Sequence, residues 1–104
     1  MGNYELVGVE ERPTIISSAY RLNSCYPNPF SSITRVDYSL PISSYVKLEM
    51  YNLLGEKVKV LVDGEQIEGV HSVYWNASDL PGGVYFCQLR AGDVVSTRKI
   101  IILR

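Results

Sequence analysis

Polar and apolar side chains alternate one by one along several short stretches of this chain. In one of them, Thr34, Val36, Tyr38 and Leu40 alternate with charged and hydroxyl side chains. A period of two places alternate side chains on opposite faces of a β-strand, so each such stretch predicts a half-buried strand. Besides 33–40, the stretches of this kind are 46–50, 57–62, 70–75, 84–89 and 94–103.

Clusters of glycine, proline, asparagine and aspartate separate these stretches, and no long segment shows a helical period. The pattern predicts an all-β fold, a small Ig-like antiparallel β-sandwich of about seven strands. The lysines of 57–62 indicate an edge strand, because lysine discourages further pairing. Residues 63–69 are expected to form a polar loop. Residues 100–103 are apolar on both faces, so we expect both sides of the last strand to be covered there.

The apolar faces of these strands supply the expected core. Its predicted members are Tyr38, Leu48, Trp75, Tyr85 and Leu89. Tyr85 follows a Pro-Gly-Gly turn and stands two residues before Cys87. This is the sequence setting of the tyrosine corner of immunoglobulin-like sandwiches, in which the tyrosine hydroxyl bonds to the backbone just upstream.

The most distinctive segment is Tyr26-Pro27-Asn28-Pro29-Phe30, which we name the proline corner. Each proline fixes its own φ, lacks an N–H group and drives the preceding residue towards extended geometry. The segment can therefore continue neither a helix nor a central strand. The aromatic rings of Tyr26 and Phe30 are expected to clamp it onto the core from both ends. Such a corner indicates a fixed shape for recognition and not a place for chemistry.

The bulk composition bounds the classes of function. The chain has 104 residues and a net charge of −1, with a pI of about 5.7 and a mean hydropathy of +0.02. This length accommodates one domain and a tail, which we assign to 19–104 and 1–18 respectively. The near-neutral charge gives no basis for a nucleic-acid partner. No apolar stretch approaches the roughly 18 residues of a transmembrane segment.

The first residues, Met1-Gly2-Asn3-Tyr4-Glu5, contain neither a basic region nor an apolar one. No signal peptide is therefore predicted. Two interpretations stay open: an intracellular protein, or a fragment from the end of a longer exported chain.

Side chains that could carry catalysis or bind a metal are few. His71 is the only histidine, and no nucleophile or acid stands at a catalytic spacing from it. Together with Cys25 and Cys87 it lacks the ligand spacing of a zinc site. The acidic residues of 63–69 lack the ligand order of an EF-hand loop. We therefore expect no enzyme activity and no metal or other cofactor.

The two cysteines are too few for a disulfide framework. Cys25 stands beside the proline corner, and Cys87 lies in a predicted strand. Two arrangements stay open: one bridge between them, or two buried free thiols that pack as small apolar groups. The immunoglobulin type of disulfide is not expected, because Cys25 precedes the first alternating strand.

Motifs dispersed over residues 20–104 occur in an order that matches a known family. They are Tyr20-Arg21-Leu22, the proline corner, 34–41, 46–55, 69–76, 82–86 and the basic-then-apolar ending at 97–104. In these motifs the chain resembles the C-terminal sorting domains of the type IX (Por) secretion system, and also the related Ig-like domain of the flagellar hook-capping protein. Three positions depart from the family pattern, since Cys25 and Ser31-Ser32 replace its common Asn and Asn-Pro.

The resemblance implies a targeting signal and not a catalytic activity. In that family the outer-membrane translocon recognises the domain at the end of a fused, exported cargo that has reached the periplasm. A sortase-like peptidase then often removes the domain as the cargo is anchored at the cell surface or released, and residues 1–18 would be the cleavage region. The residues that we assign to recognition are Tyr26, Pro27, Asn28, Pro29, Phe30, Asn52, Gly55, Lys99 and Arg104.

Two other functions fit the same pattern. The first is a structural or adhesive Ig-like module of a cell-surface or flagellar assembly, whose copies self-associate through their edge strands or a displaced N-terminal strand. The second is a carbohydrate-binding sandwich with an aromatic platform on predicted outward positions, made by Tyr45, Tyr51 and Tyr74.

Overall fold

Seven antiparallel strands in two sheets make up the domain, and they confirm the predicted all-β sandwich. The structure is a computed structural model that describes residues 19–104. The linker assigned to 1–18 lies outside the described residues. The strands are β1 (Arg21–Tyr26), β2 (Ile33–Leu40), β3 (Ser44–Asn52), β4 (Lys57–Gln66), β5 (Gly69–Asn76), β6 (Gly83–Ala91) and β7 (Val94–Ile102). Within the described range, no helix combines the length and the hydropathy that crossing a membrane requires.

The strands divide into a three-stranded sheet, in the order β1-β2-β5, and a four-stranded sheet, in the order β4-β3-β6-β7. Hairpins join β1 to β2, β3 to β4, and β6 to β7. The remaining connections cross from one sheet to the other, as in Ig-like sandwiches. β4 lies at an edge of its sheet, as its lysines indicate.

The core fills the space between the two sheets. The predicted core residues are at most 5% exposed: Tyr38, Leu48, Trp75, Tyr85 and Leu89. The Trp75 ring lies between two others, with centroids 5.6 Å from Phe30 and 6.0 Å from Tyr85. The Tyr85 hydroxyl donates a hydrogen bond of 2.7 Å to the carbonyl of Pro81. This is the bond of a tyrosine corner, and it fixes the start of β6.

β1 does not show the alternation of the other strands. Its register against β2 shifts between Leu22 and Ser24. The shift puts Leu22 and Cys25, three positions apart, on the buried side, because a bulge breaks the period of two. The prediction that Cys25 precedes the first strand is therefore wrong, since Cys25 lies within β1.

The predicted polar loop at 63–69 is also wrong. β4 continues to Gln66 and stays paired with β3 throughout, so only Ile67 and Glu68 separate it from β5. Asp63 and Glu65 project from this edge strand into solvent. Polar side chains are compatible with a strand there because the backbone pairing with β3 leaves them on a hydrated face.

Candidate recognition surface

The proline corner, the turn from Asn52 to Gly55 and Arg104 lie at one end of the sandwich. β3 ends there and β6 begins there, opposite the end of β7, because Asn52 pairs with Tyr85 and Gly83 pairs with Ile102. The segment that follows β1 reaches the same end, because Phe30 bridges to Ile102. We name this the corner end, made of residues 26–32, 52–56, 77–83 and 102–104. β1 begins at the other end of the sandwich, where Arg21 pairs with Ser39 near the end of β2. Lys99 lies within β7, outside the corner end, with an exposed side chain.

The proline corner binds along the outer edge of β7. Both of its prolyl peptide bonds are cis. The amide of Asn28 donates to the carbonyl of Lys99 at 3.0 Å and accepts from the N–H of Ile101 at 3.1 Å. The N–H of Phe30 donates to Ile101 at 3.0 Å, and the N–H of Leu103 donates to Phe30 at 2.7 Å. The corner thus occupies backbone groups that an edge strand would otherwise offer to a neighbour.

The two aromatic residues of the proline corner have different roles. Phe30 is 3% exposed and packs on the core, whereas Tyr26 is 70% exposed. The expectation that both clamp the corner is wrong for Tyr26. Its neighbour Cys25 points inward, so Tyr26 points out. The hydroxyl of Thr34 holds this side of the corner instead, through a bond of 2.7 Å to the carbonyl of Pro27.

Arg104 holds together the loops of the corner end. Its guanidinium donates to the carbonyl of Leu80, with 3.0 Å from Nε and 2.9 Å from Nη2, and also to the carbonyls of Ser31 and Ala77. A Cβ at Gly82 would lie 2.9 Å from Cγ of Arg104, so the glycine lets the side chain lie flat. The geometry makes Arg104 a tie between loops, because intramolecular carbonyls take up its donors.

A turn built by Asn52 joins β3 to β4. Its side-chain oxygen accepts from the N–H groups of Leu54 and Glu56 at 3.0 and 2.9 Å, and Gly55 supplies a φ of +85°. Asn52 and Gly55 therefore shape the turn. The turn presents Leu53 and Leu54, which are 69% and 84% exposed. Sequence reasoning missed these leucines because the polar-apolar pattern carries no sign of exposure within a turn.

Leu53 also lines two adjoining grooves. One, of about 380 Å³, runs beside Tyr51 and Phe86. The other, of about 290 Å³, runs beside Leu54 and Pro81. Exposed apolar side chains beside shallow grooves are typical of protein-binding surfaces. The corner end therefore combines a rigid backbone with apolar groups that face solvent.

A family model supplies the decisive comparison. The model described as secretion system C-terminal sorting domain matches residues 24–103. The chain belongs to this family. The sorting domain is thus a targeting module of type IX secretion, which marks proteins for export to the cell surface or medium and works with the type IX machinery. No curated protein matches the chain.

The end of β7 in the sorting domain departs from the expected burial. Ile100 and Ile102 are 0% and 2% exposed, but Leu103 is 56% exposed. The expectation that residues 100–103 are covered on both sides is therefore wrong for Leu103. Its backbone bonds to the proline corner while its side chain lies beyond the last strand pair, where no second sheet covers it.

His71 has a packing role in the sorting domain. Its ring stacks on Tyr38 with centroids 5.1 Å apart and an interplanar angle of 14°. Its Nε2 lies 2.7 Å from the carbonyl oxygen of Ile67. Among residues 19–104, no three His, Cys, Asp or Glu side chains are close enough together to hold a metal ion.

The predicted aromatic platform is wrong. Tyr45 and Tyr51 lie on β3 of the four-stranded sheet, whereas Tyr74 lies on β5 of the three-stranded sheet. The outer faces of the two sheets look in opposite directions, so the three rings share no surface. Tyr51 also bonds to Glu49 through its hydroxyl, at 2.8 Å.

Glu49 carries a charge that the alternation placed in solvent. It is 4% exposed, with Nζ of Lys57 at 2.9 Å from its carboxylate and the Tyr51 hydroxyl donating to it. Burial acts to raise the pKa of Glu49, but the hydrogen bonds from Lys57 and Tyr51 outweigh it and hold the pKa below its ordinary value.

We expect this carboxylate to make the stability of the sorting domain depend on acidic pH. Because its folded-state pKa is depressed, its contribution is full above the unfolded value of about 4.3 and is lost as pH falls through the folded value. Glu49→Gln should lower the free energy of unfolding at pH 7 and flatten its fall towards pH 3, measured by urea unfolding. The exposed Glu65→Gln is the control. Equal pH dependence in Glu49→Gln and the wild type would contradict the assignment.

Proposed function

We propose that the sorting domain directs a larger protein, fused before residue 18, through the outer-membrane type IX translocon, and that the translocon binds the corner end. The observation that carries this proposal is the convergence there of the proline corner and the Asn52 turn, which leaves Tyr26, Leu53 and Leu54 exposed on a rigid frame. A sortase-like peptidase then cuts within 1–18, and the cargo is anchored at the surface or released. The domain itself performs no chemistry.

The placement of the cargo supports this function. The described chain enters the sandwich beside Arg21, at the end opposite the corner end. The eight residues of β2 separate the two ends by about 25 Å. Cargo proteins of different size and shape would therefore leave the corner end accessible. This is the property that a general export address requires.

The alternative of an adhesive module that self-associates through sheet edges has less support. The proline corner occupies the outer edge of β7 from Lys99 to Leu103. β4, the opposite edge of that sheet, presents Lys57 and Lys59. Both features oppose pairing with another chain. We expect the purified chain to sediment as a monomer at high concentration, and oligomers that need residues 4–16 would favour the adhesive module.

The double variant Leu53→Ser/Leu54→Ser tests the corner end directly. In a reporter fused to residues 3–104 in a type IX-competent host, surface delivery should fall by about tenfold or more, as for loss of a binding hot spot. Both side chains are exposed, so the melting temperature should stay close to that of the wild type.

The matched control is Ile67→Ser/Val70→Ser. These residues are equally exposed, at 72% and 73%, and lie at the opposite end of the sandwich. This variant should be exported like the wild type. Normal export of the Leu53/Leu54 variant, or an equal loss of surface delivery in the two variants, would show that the translocon does not bind the corner end.

A further inference from the structure

Cys25 and Cys87 meet in the core from opposite sheets. Cys25 lies on β1 of the three-stranded sheet and Cys87 on β6 of the four-stranded sheet. They are 8% and 0% exposed, both thiols are free, and each thiol is the main influence on the pKa of the other. Residues 62 positions apart in the chain are thus brought together in one core.

The surrounding strands fix the positions of the two cysteines. Arg98 of β7 stands directly opposite Cys87 in the register of the sheet. Its guanidinium reaches across and donates to the carbonyl of Leu22 on β1 at 2.9 Å. Leu22 and Cys25 share the buried side of β1. The approach of the two sulfurs is therefore set by backbone positions, and a cysteine has only one torsion between Cα and sulfur to adjust.

We propose that Cys25 and Cys87 are oxidised to an inter-sheet disulfide by exchange with a disulfide-bearing oxidant, such as a thiol–disulfide oxidoreductase or oxidised glutathione. A disulfide joins two sulfur atoms about 2.0 Å apart, and rotation of each side chain about its Cα–Cβ bond is the movement that would bring these two buried sulfurs to that distance. The proposal does not depend on the export route, because it concerns the thiol chemistry of the chain alone.

The surroundings of the two thiols give them different roles in the exchange with the oxidant. The hydrogen bond with Cys87 lowers the pKa of the Cys25 thiol, and this effect outweighs the opposing effect of burial. The same hydrogen bond and deeper burial raise the pKa of Cys87. Cys25 is also the more exposed thiol and lies on an edge strand. It is therefore the first nucleophile.

The exchange proceeds in two balanced steps. The Cys25 thiolate attacks one sulfur of the oxidant's disulfide, which forms a mixed disulfide and releases the other sulfur as a thiolate. The Cys87 thiol loses its proton to that thiolate or to solvent, and its sulfur attacks Cys25 to release the second thiolate. The domain loses two electrons and two protons, and the oxidant's disulfide gains both to become two thiols.

The bond would tie the proline corner to the four-stranded sheet. Cys25 is the residue next to Tyr26, so the bridge to β6 anchors the strand that leads into the corner. The bridge closes a loop of about 60 residues, and closing a long loop removes much freedom from the unfolded chain. The oxidised domain should therefore resist unfolding far better than the reduced one.

The test is to refold the purified 104-residue chain in buffers with increasing ratios of oxidised to reduced glutathione. Refolding from denaturant ensures that burial does not block the oxidant. We expect both thiols to become unreactive to a maleimide in denaturant, a mass lower by about 2 Da, and no glutathione adduct. The melting temperature should exceed that of the reduced protein by about 10 °C or more.

Single variants supply the controls. Cys25→Ser and Cys87→Ala should show no change in melting temperature with reductant, because neither can form the bridge. Free thiols after refolding in the most oxidising buffer, or a stable glutathione adduct on Cys25, would overturn the proposal. An oxidised monomer with the same melting temperature as the reduced protein would also overturn the proposal, since the bond would not then join the two sheets in their native arrangement.

Discussion

Deletion of Lys99–Arg104 should unfold the domain as well as abolish export. The deletion removes Ile100 and Ile102, which are 0% and 2% exposed. Loss of a buried isoleucine side chain costs about 2–5 kcal/mol, and a small domain has only about 5–15 kcal/mol of stability in total. The backbone partners of the proline corner on β7 disappear with them. Circular dichroism should show no cooperative melting transition in the truncated domain.

The matched control for this deletion is Lys99→Ala/Leu103→Ala, because both side chains are exposed. It should melt within a few degrees of the wild type, since exposed substitutions change stability by about 0.5 kcal/mol at most. A native-like melting curve for the truncated domain would refute the assignment of β7 to the core. If the domain unfolds as expected, its failure to be exported cannot identify a contact with the translocon, and point variants that keep the fold are needed.

The second large effect is expected from Phe30→Ala. Phe30 is 3% exposed and packs against the Trp75 ring. Truncation of a buried phenylalanine costs about 3–5 kcal/mol, which lowers the melting temperature of a domain of this size by about 12 °C or more. The free energy of unfolding is measured by chemical denaturation at pH 7.

Tyr26→Ala is the natural comparison, since Tyr26 is 70% exposed at the other end of the proline corner. It should leave the free energy of unfolding within about 0.5 kcal/mol of the wild type. Comparable losses in the two variants would mean that Tyr26 also anchors the corner. If Tyr26→Ala folds normally but is exported poorly, the ring contacts a partner.

The strands with strict alternation could be predicted from the sequence. The position of β1 and the burial of Glu49 could not, for a different physical reason in each case. In β2 each residue from Thr34 to Leu40 follows the period of two, and the structure reproduces it. β1 was missed because its bulge spaces Leu22 and Cys25 by three. Glu49 was expected in solvent because alternation reports the direction of a side chain, whereas Lys57 and Tyr51 cover it.

Of the candidate site, only the proline corner could be predicted from the sequence. Two prolines around Asn28 predict a stiff corner from local sterics alone. The bonds of Asn28 to β7, and of Arg104 to Ser31, join residues more than 70 positions apart. No local pattern encodes such pairs, so the sequence could not show that Arg104 is engaged within the domain or that Leu53 is exposed at the same end of the sandwich.

Because of the same long-range bonds, the corner end can form only when the chain extends through residues 101–104. Phe30 near the start of the domain is held by Ile101 and Leu103, and Ser31 is held by Arg104. A polypeptide that stops short of these residues, through a premature stop codon or proteolysis, has every earlier strand but no finished corner. Only a chain that extends through Arg104 can form the finished corner end, so a sorting domain that lacks these residues would not display the proposed recognition surface.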